Sequence, residues 1–106
     1  MRRSQSLVLS LTVFVLGARA YCQSPENTYK EKCLACHGAS GLGNTPIGKA
    51  LAVPPFTGAS VIRKSDSELA LTIKNGAGKM PAFQGRIQDQ EVAGLIRYVH
   101  QLQGKK

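Results

Sequence analysis

An all-α domain is what this sequence predicts, on three observations. Val92, Leu95, Ile96, Val99 and Leu102 recur at i, i+3, i+4, i+7 and i+10, a spacing that gathers apolar side chains on one helix face. Ser65-Asp66-Ser67-Glu68 is a capping box, opening a helix that runs through Leu69, Leu71 and Ile73 to a stop at Asn75-Gly76. No segment alternates apolar and polar residues for the length of a strand, and Gly, Pro, Ser and Asn fill the intervals. There is no internal repeat and no room for a second domain.

Taken in order, residues 1–20 read as a secretory signal peptide. Arg2 and Arg3 form a basic start, Leu7 to Leu16 an apolar run, and Ala18-Arg19-Ala20 a small-x-small cleavage site, so the mature domain is expected over 21–106. The apolar run is about half the roughly 20 residues of a membrane span, so no stable span is expected in the mature chain. An uncleaved anchor, a lipid anchor at Cys22 and a twin-arginine signal are weaker readings of the same residues. The mature chain of about 86 residues is small, and with no Trp, two Phe and three Tyr it has little to build a core from.

The first mature helix is expected to start with Ser24 as N-cap, Pro25 at the first position and Glu26 in the first turn, and to run through Tyr29 into Cys33-Leu34-Ala35-Cys36-His37-Gly38. Two cysteines three apart followed at once by histidine have the spacing that attaches a c-type haem. On a helix Cys33 and Cys36 are i,i+3 neighbours, placing both sulfurs toward one edge of a porphyrin. His37 is i+4 from Cys33 on the same face and can bind the iron, and Gly38 ends the turn. A redox dithiol leaves the histidine unexplained. A closed zinc site would need Cys22, Cys33, Cys36 and His37 together, with Cys36 and His37 awkwardly adjacent. Once Cys33 and Cys36 bind haem, Cys22 is left without an intramolecular partner.

From Gly38 to Gly48 the composition is that of a loop, in which Gly41 and Gly43 would let backbone pass close to the porphyrin edge. Pro54 and Pro55 exclude a regular strand over Leu51 to Phe56, a segment suited to a wall of the haem pocket. After the capped helix comes Ala77-Gly78-Lys79-Met80-Pro81, carrying the one methionine besides the initiator. A lone loop methionine is commonly core filler. Here a thioether with glycines before it and a proline after it, 43 residues beyond His37, is the candidate for the second axial position. The last helix is expected over about Asp89 to Gln103, with Gly94 allowing close approach of the helix that carries Tyr29. Gln88 is a weak cap, and Lys105 and Lys106 complement the helix dipole. His100 lies off the apolar stripe and is expected at the surface.

Of the 14 basic residues, Arg2, Arg3 and Arg19 leave with the signal, so 11 face 6 acidic ones. That excess suits docking to an acidic redox partner and carries no sign of nucleic-acid binding, since Lys and Arg are scattered without interleaved aromatics.

The mature chain resembles a class I (mitochondrial-type) cytochrome c, most closely the small bacterial monohaem members. The resemblance rests on the helix into C-L-A-C-H-G at 33–38, the helix ending at Ile73-Lys74-Asn75-Gly76, the G-K-M-P segment at 78–81 and the amphipathic last helix. It implies a small helical domain wrapped around one haem c, with thioether bonds at Cys33 and Cys36, His37 as proximal ligand and Met80 as distal ligand. The terminal helices would cross near right angles beside the haem. It further implies a monomeric, non-enzymatic one-electron carrier in the periplasm, serving an oxidase, reductase or dehydrogenase. The alternative is a haem protein whose distal ligand is labile, acting as a small-ligand sensor or peroxidase-like enzyme. Lys79, next to Met80, could replace it at high pH.

Overall fold

The structure, a computed structural model, describes residues 12–13 and 23–105. The signal-peptide reading, cleavage after Ala20 and the place of Cys22 fall outside the described residues. Within them the fold is six α-helices and two isolated β-bridges, with no strand, as the sequence predicts.

Helix α1 (Pro25–Lys32) starts as its residues dictate. Ser24 Oγ accepts the Asn27 N–H at 3.2 Å, and Pro25 sits in the first turn, where its missing N–H costs nothing. The helix does not run unbroken into the cysteine motif. Cys33, at φ −119°, interrupts it, and α2 (Leu34–His37) is a separate single turn that ends where Gly38 takes φ +79°. The interruption is local, because the Cys33 N–H still donates to Tyr29 O and the His37 N–H to Cys33 O, both within 2.9 Å.

The expected loop from Gly38 to Gly48 is shorter than its composition suggests, since α3 (Pro46–Ala50) begins inside it. Thr45 and Pro46 repeat the cap-plus-proline start of α1, and the Thr45 hydroxyl accepts the Gly48 N–H at 2.9 Å. The same hydroxyl donates to the Ala35 carbonyl at 2.6 Å, fastening α3 to the turn that carries the cysteines. Gly48 allows that approach, since a Cβ there would stand 2.3 Å from Cys36 O.

A proline-broken segment leads to the short α4 (Ala59–Ile62), whose residues offered no cap or stripe to find it by. Helix α5 (Asp66–Asn75) has its capping box in full: the Glu68 N–H donates to Ser65 Oγ at 3.2 Å and the Ser65 N–H to the Glu68 carboxylate at 2.7 Å. Helix α6 (Asp89–Leu102) begins after Gln88 as expected. The weakness of Gln88 as a cap is met by Glu91, whose carboxylate accepts the Gln88 N–H at 2.9 Å.

Val92, Leu95, Ile96 and Val99 of the α6 stripe are buried together with Tyr29, Phe56, Leu69, Phe83 and Ile87, and these nine form the core. Helix α6 packs against both α1 and α5. Gly94 lets α1 in: a Cβ there would stand 2.9 Å from Pro25 Cγ, and the Tyr29 and Tyr98 rings meet at 4.9 Å between centroids.

Candidate functional site

The core does not close on itself. It lines one side of a cavity of about 540 Å³, within the roughly 300–1,000 Å³ of small-molecule and cofactor sites. Cys33, Cys36, His37 and Met80 all line it, so the four residues singled out in the sequence are brought to one site by segments 43 residues apart. Leu69 and Ile73 of α5 and Leu95, Ile96 and Val99 of α6 give the cavity an apolar lining. Val53, Pro54 and Phe56 supply the wall expected of the proline segment. Lys32, Lys64 and Lys79, all exposed, are the charged residues at its boundary.

Backbone ties hold the motif in place. The buried Tyr29 hydroxyl donates to Gly38 O at 2.6 Å, and the Gly43 N–H to His37 O at 2.8 Å. Burial pushes the Tyr29 pKa well above its ordinary value, so this hydroxyl keeps its proton. Neither Tyr29 nor Thr45 showed in the sequence as part of the site; for Thr45 the cap-plus-proline pair was the available signal. Gly41 and Gly43 do serve close approach, but to protein. A Cβ on Gly41 would fall 2.2 Å from the Phe56 ring and one on Gly43 would fall 2.4 Å from Val53 O, because these glycines lie against the wall segment.

His37 is half-buried, its ring stacked on Phe56 at 4.8 Å and 27°. Burial lowers its pKa, so it is a neutral imidazole with a lone pair to give. Its Nδ1 is buried without a hydrogen-bond partner, a state that native interiors rarely leave uncompensated. Cys33 and Cys36 form no disulfide, and burial pushes the Cys33 thiol up to about 11.

Met80 is half-buried on a tight turn. Ala77 and Met80 exchange both backbone hydrogen bonds, at 3.2 and 2.9 Å, around Gly78 at φ +56°. The chain beyond is pinned to α5, with the Phe83 N–H on Ile73 O at 3.0 Å and the Gln84 N–H on Lys74 O at 3.1 Å. Gly76, at φ +76°, makes the turn possible, since a Cβ there would lie 2.5 Å from Met80 O.

Two thiols, a neutral imidazole and a thioether around an apolar cavity form a donor set that fits a flat apolar macrocycle holding a metal ion. The imidazole and thioether are both good ligands for iron, and the thiols suit covalent attachment. His100 does not line this cavity. It is bound to Asp66 and Gln103 and only part of it is exposed, so it is less of a surface residue than its place off the stripe implied.

The family described as cytochrome c oxidase, cbb3-type, subunit III matches residues 20–99. The cbb3-type cytochrome c oxidase subunit CcoP of Azospirillum brasilense is 37% identical over 101 residues, a match covering 93% of this chain and 34% of that protein. The chain thus spans about a third of that relative's length. Cytochrome c6 of Picosynechococcus is 32% identical over 101 residues, covering 89% of this chain and 86% of the other. Among solved structures, the KustC0563 c-type cytochrome superposes with a TM-score of 0.65 at 28% identity, over 79% of this chain and all of that one. No helix among the described residues is long and apolar enough to cross a membrane.

Proposed function

Because this chain belongs to the c-type cytochrome family of cbb3-type oxidase subunit III, and so takes covalently bound haem c, we propose that it carries single electrons with His37 and Met80 as its axial ligands. The haem supplies the reversible one-electron chemistry of its iron. Cys33 and Cys36 would hold it covalently through their sulfurs, an attachment that consumes no oxidant. His37 gives a nitrogen lone pair, which its depressed pKa keeps available. Met80 gives a thioether, which favours the ferrous state and raises the potential. With both positions held by protein there is no open site for a substrate, and the apolar lining excludes water and lowers the reorganisation that each electron transfer requires.

The observation that carries this reading is the convergence of Cys33, Cys36, His37 and Met80 on one apolar cavity. The names of the cbb3 relatives support an oxidase as its redox partner. Export through residues 1–20 to the periplasm belongs to the same proposal. Two variants test the site. Cys33→Ala combined with Cys36→Ala should release the haem on denaturing electrophoresis, where the wild type retains it. Met80→Ala should retain haem, bind carbon monoxide when reduced and lose potential. Haem retained by the double variant, or a Met80→Ala protein indistinguishable from wild type, overturns the assignment.

A further inference from the structure

A chain of hydrogen bonds from the end of α6 finishes against His37. His100 Nε2 lies 2.6 Å from Asp66 Oδ1 at the start of α5, and His100 Nδ1 lies 3.0 Å from Gln103 Oε1. Gln103 Nε2 donates to the Phe56 carbonyl at 2.9 Å, and the Phe56 ring is the one stacked on His37.

Both ends of this chain are pure acceptors, and that decides its protons. The Phe56 carbonyl only accepts, so the Gln103 amide turns its nitrogen to Phe56 and its oxygen to His100. That oxygen also only accepts, so His100 Nδ1 must carry a proton. The Asp66 carboxylate demands one on Nε2 as well. Only the imidazolium satisfies both. A neutral His100 has one proton for two acceptors. If the proton stays on Nε2, facing Asp66, the Nδ1 lone pair opposes the Gln103 oxygen. Turning the amide over relieves that clash but sets its oxygen against the Phe56 carbonyl and breaks the tether.

The charged groups facing His100 are Asp66 from α5, Lys64 just before it, Arg97 on its own helix and Lys105 in the tail. The hydrogen bonds to Gln103 and Asp66 favour its charged form and outweigh burial and Lys105, which oppose it.

We propose that Gln103 and His100 are positioning residues for the electron-transfer site, seating Phe56 on His37 according to the proton on His100, so that the haem potential is proton-linked. This rests on His37 being the axial ligand. Reduction brings one electron from the partner and removes one positive charge from the site. The reduced protein therefore binds the His100 proton, taken from solvent, more tightly. The potential accordingly falls as pH rises through the His100 titration.

The test is the midpoint potential of the holoprotein from about pH 5 to 9, with carbon monoxide binding checked in each variant. About threefold tighter proton binding in the reduced state is expected, which at 59 mV per tenfold is about 28 mV across the titration. His100→Gln should flatten the profile. Gln103→Leu should reduce the slope to the direct charge interaction alone while His100 still titrates by NMR. Asp66→Asn, which leaves the tether intact, should move the slope to lower pH and keeps the proposal testable if Gln103→Leu does not fold. A flat wild-type profile, a slope that survives His100→Gln, one undiminished in Gln103→Leu, or one unmoved by Asp66→Asn overturns it. Carbon monoxide binding by the wild type would correct the Met80 assignment separately, since the slope comparison turns on His37.

Discussion

At the scale of single residues, Thr28 carries a buried hydroxyl with no hydrogen bond among the described residues. It is 1% exposed and lies on the same helix as Tyr29, whose hydroxyl is fully used. A buried hydroxyl without a partner costs about 1–3 kcal/mol, so exchanging it for a methyl removes a penalty without opening a cavity. Thr28→Val is therefore expected to raise holoprotein stability by about 1 kcal/mol in denaturant unfolding, within the range of that penalty. A loss of similar size would show that Thr28 has a partner after all. His100 makes a prediction of opposite character. Its folded pKa lies above the ordinary value because of Gln103 and Asp66, so its contribution is complete below about pH 6.5 and is lost as pH rises through the folded pKa. The melting temperature of the wild type should fall across that window relative to His100→Gln. Parallel profiles for the two would contradict the imidazolium bridge.

At the scale of elements, the Met80 turn is where backbone conformation bears most directly on the site. Gly76 combines φ +76° with a neighbouring carbonyl that would stand 2.5 Å from any Cβ. Alanine there must either adopt a left-handed conformation against that clash, at about 1–3 kcal/mol, or displace the turn. Gly76→Ala is expected to weaken Met80 ligation, read as carbon monoxide binding to reduced protein that the wild type lacks, while haem stays attached. Gly78→Ala serves as its control: φ is also positive there, but nothing lies within 4 Å of the added Cβ. Equal effects of the two would mean that conformation alone, and not the contact with Met80 O, governs the turn. The elements that sequence reasoning located are those with local chemistry at their ends. Ser24-Pro25, the Ser65–Glu68 box and the α6 stripe each state their own boundaries. Helix α4 has neither cap side chain nor stripe, and the break at Cys33 answers to packing around the motif, so neither was legible.

At the scale of the whole molecule, the four residues that meet at the cavity were legible because each is chemically distinctive: a spaced cysteine pair with its histidine, and a methionine in the run Gly78-Lys79-Met80-Pro81. What supports them was not. Tyr29 on Gly38, Thr45 on Ala35 and the Gln103 tether to Phe56 join residues 9, 10 and 47 apart by side-chain-to-backbone bonds that leave no periodic trace. Nine buried apolar residues among the described ones are arranged around a cavity of about 540 Å³, so haem that fills it is expected to stabilise the fold as well as supply the chemistry. The measurement that bears on this most directly is the visible spectrum of the reduced holoprotein, matured where haem is attached, with and without carbon monoxide. A c-type spectrum unchanged by carbon monoxide is the expected result and means that His37 and Met80 both hold the iron. A shift on adding carbon monoxide would mean an open or labile distal position and would contradict the electron-carrier account in favour of ligand sensing or peroxidase-like chemistry.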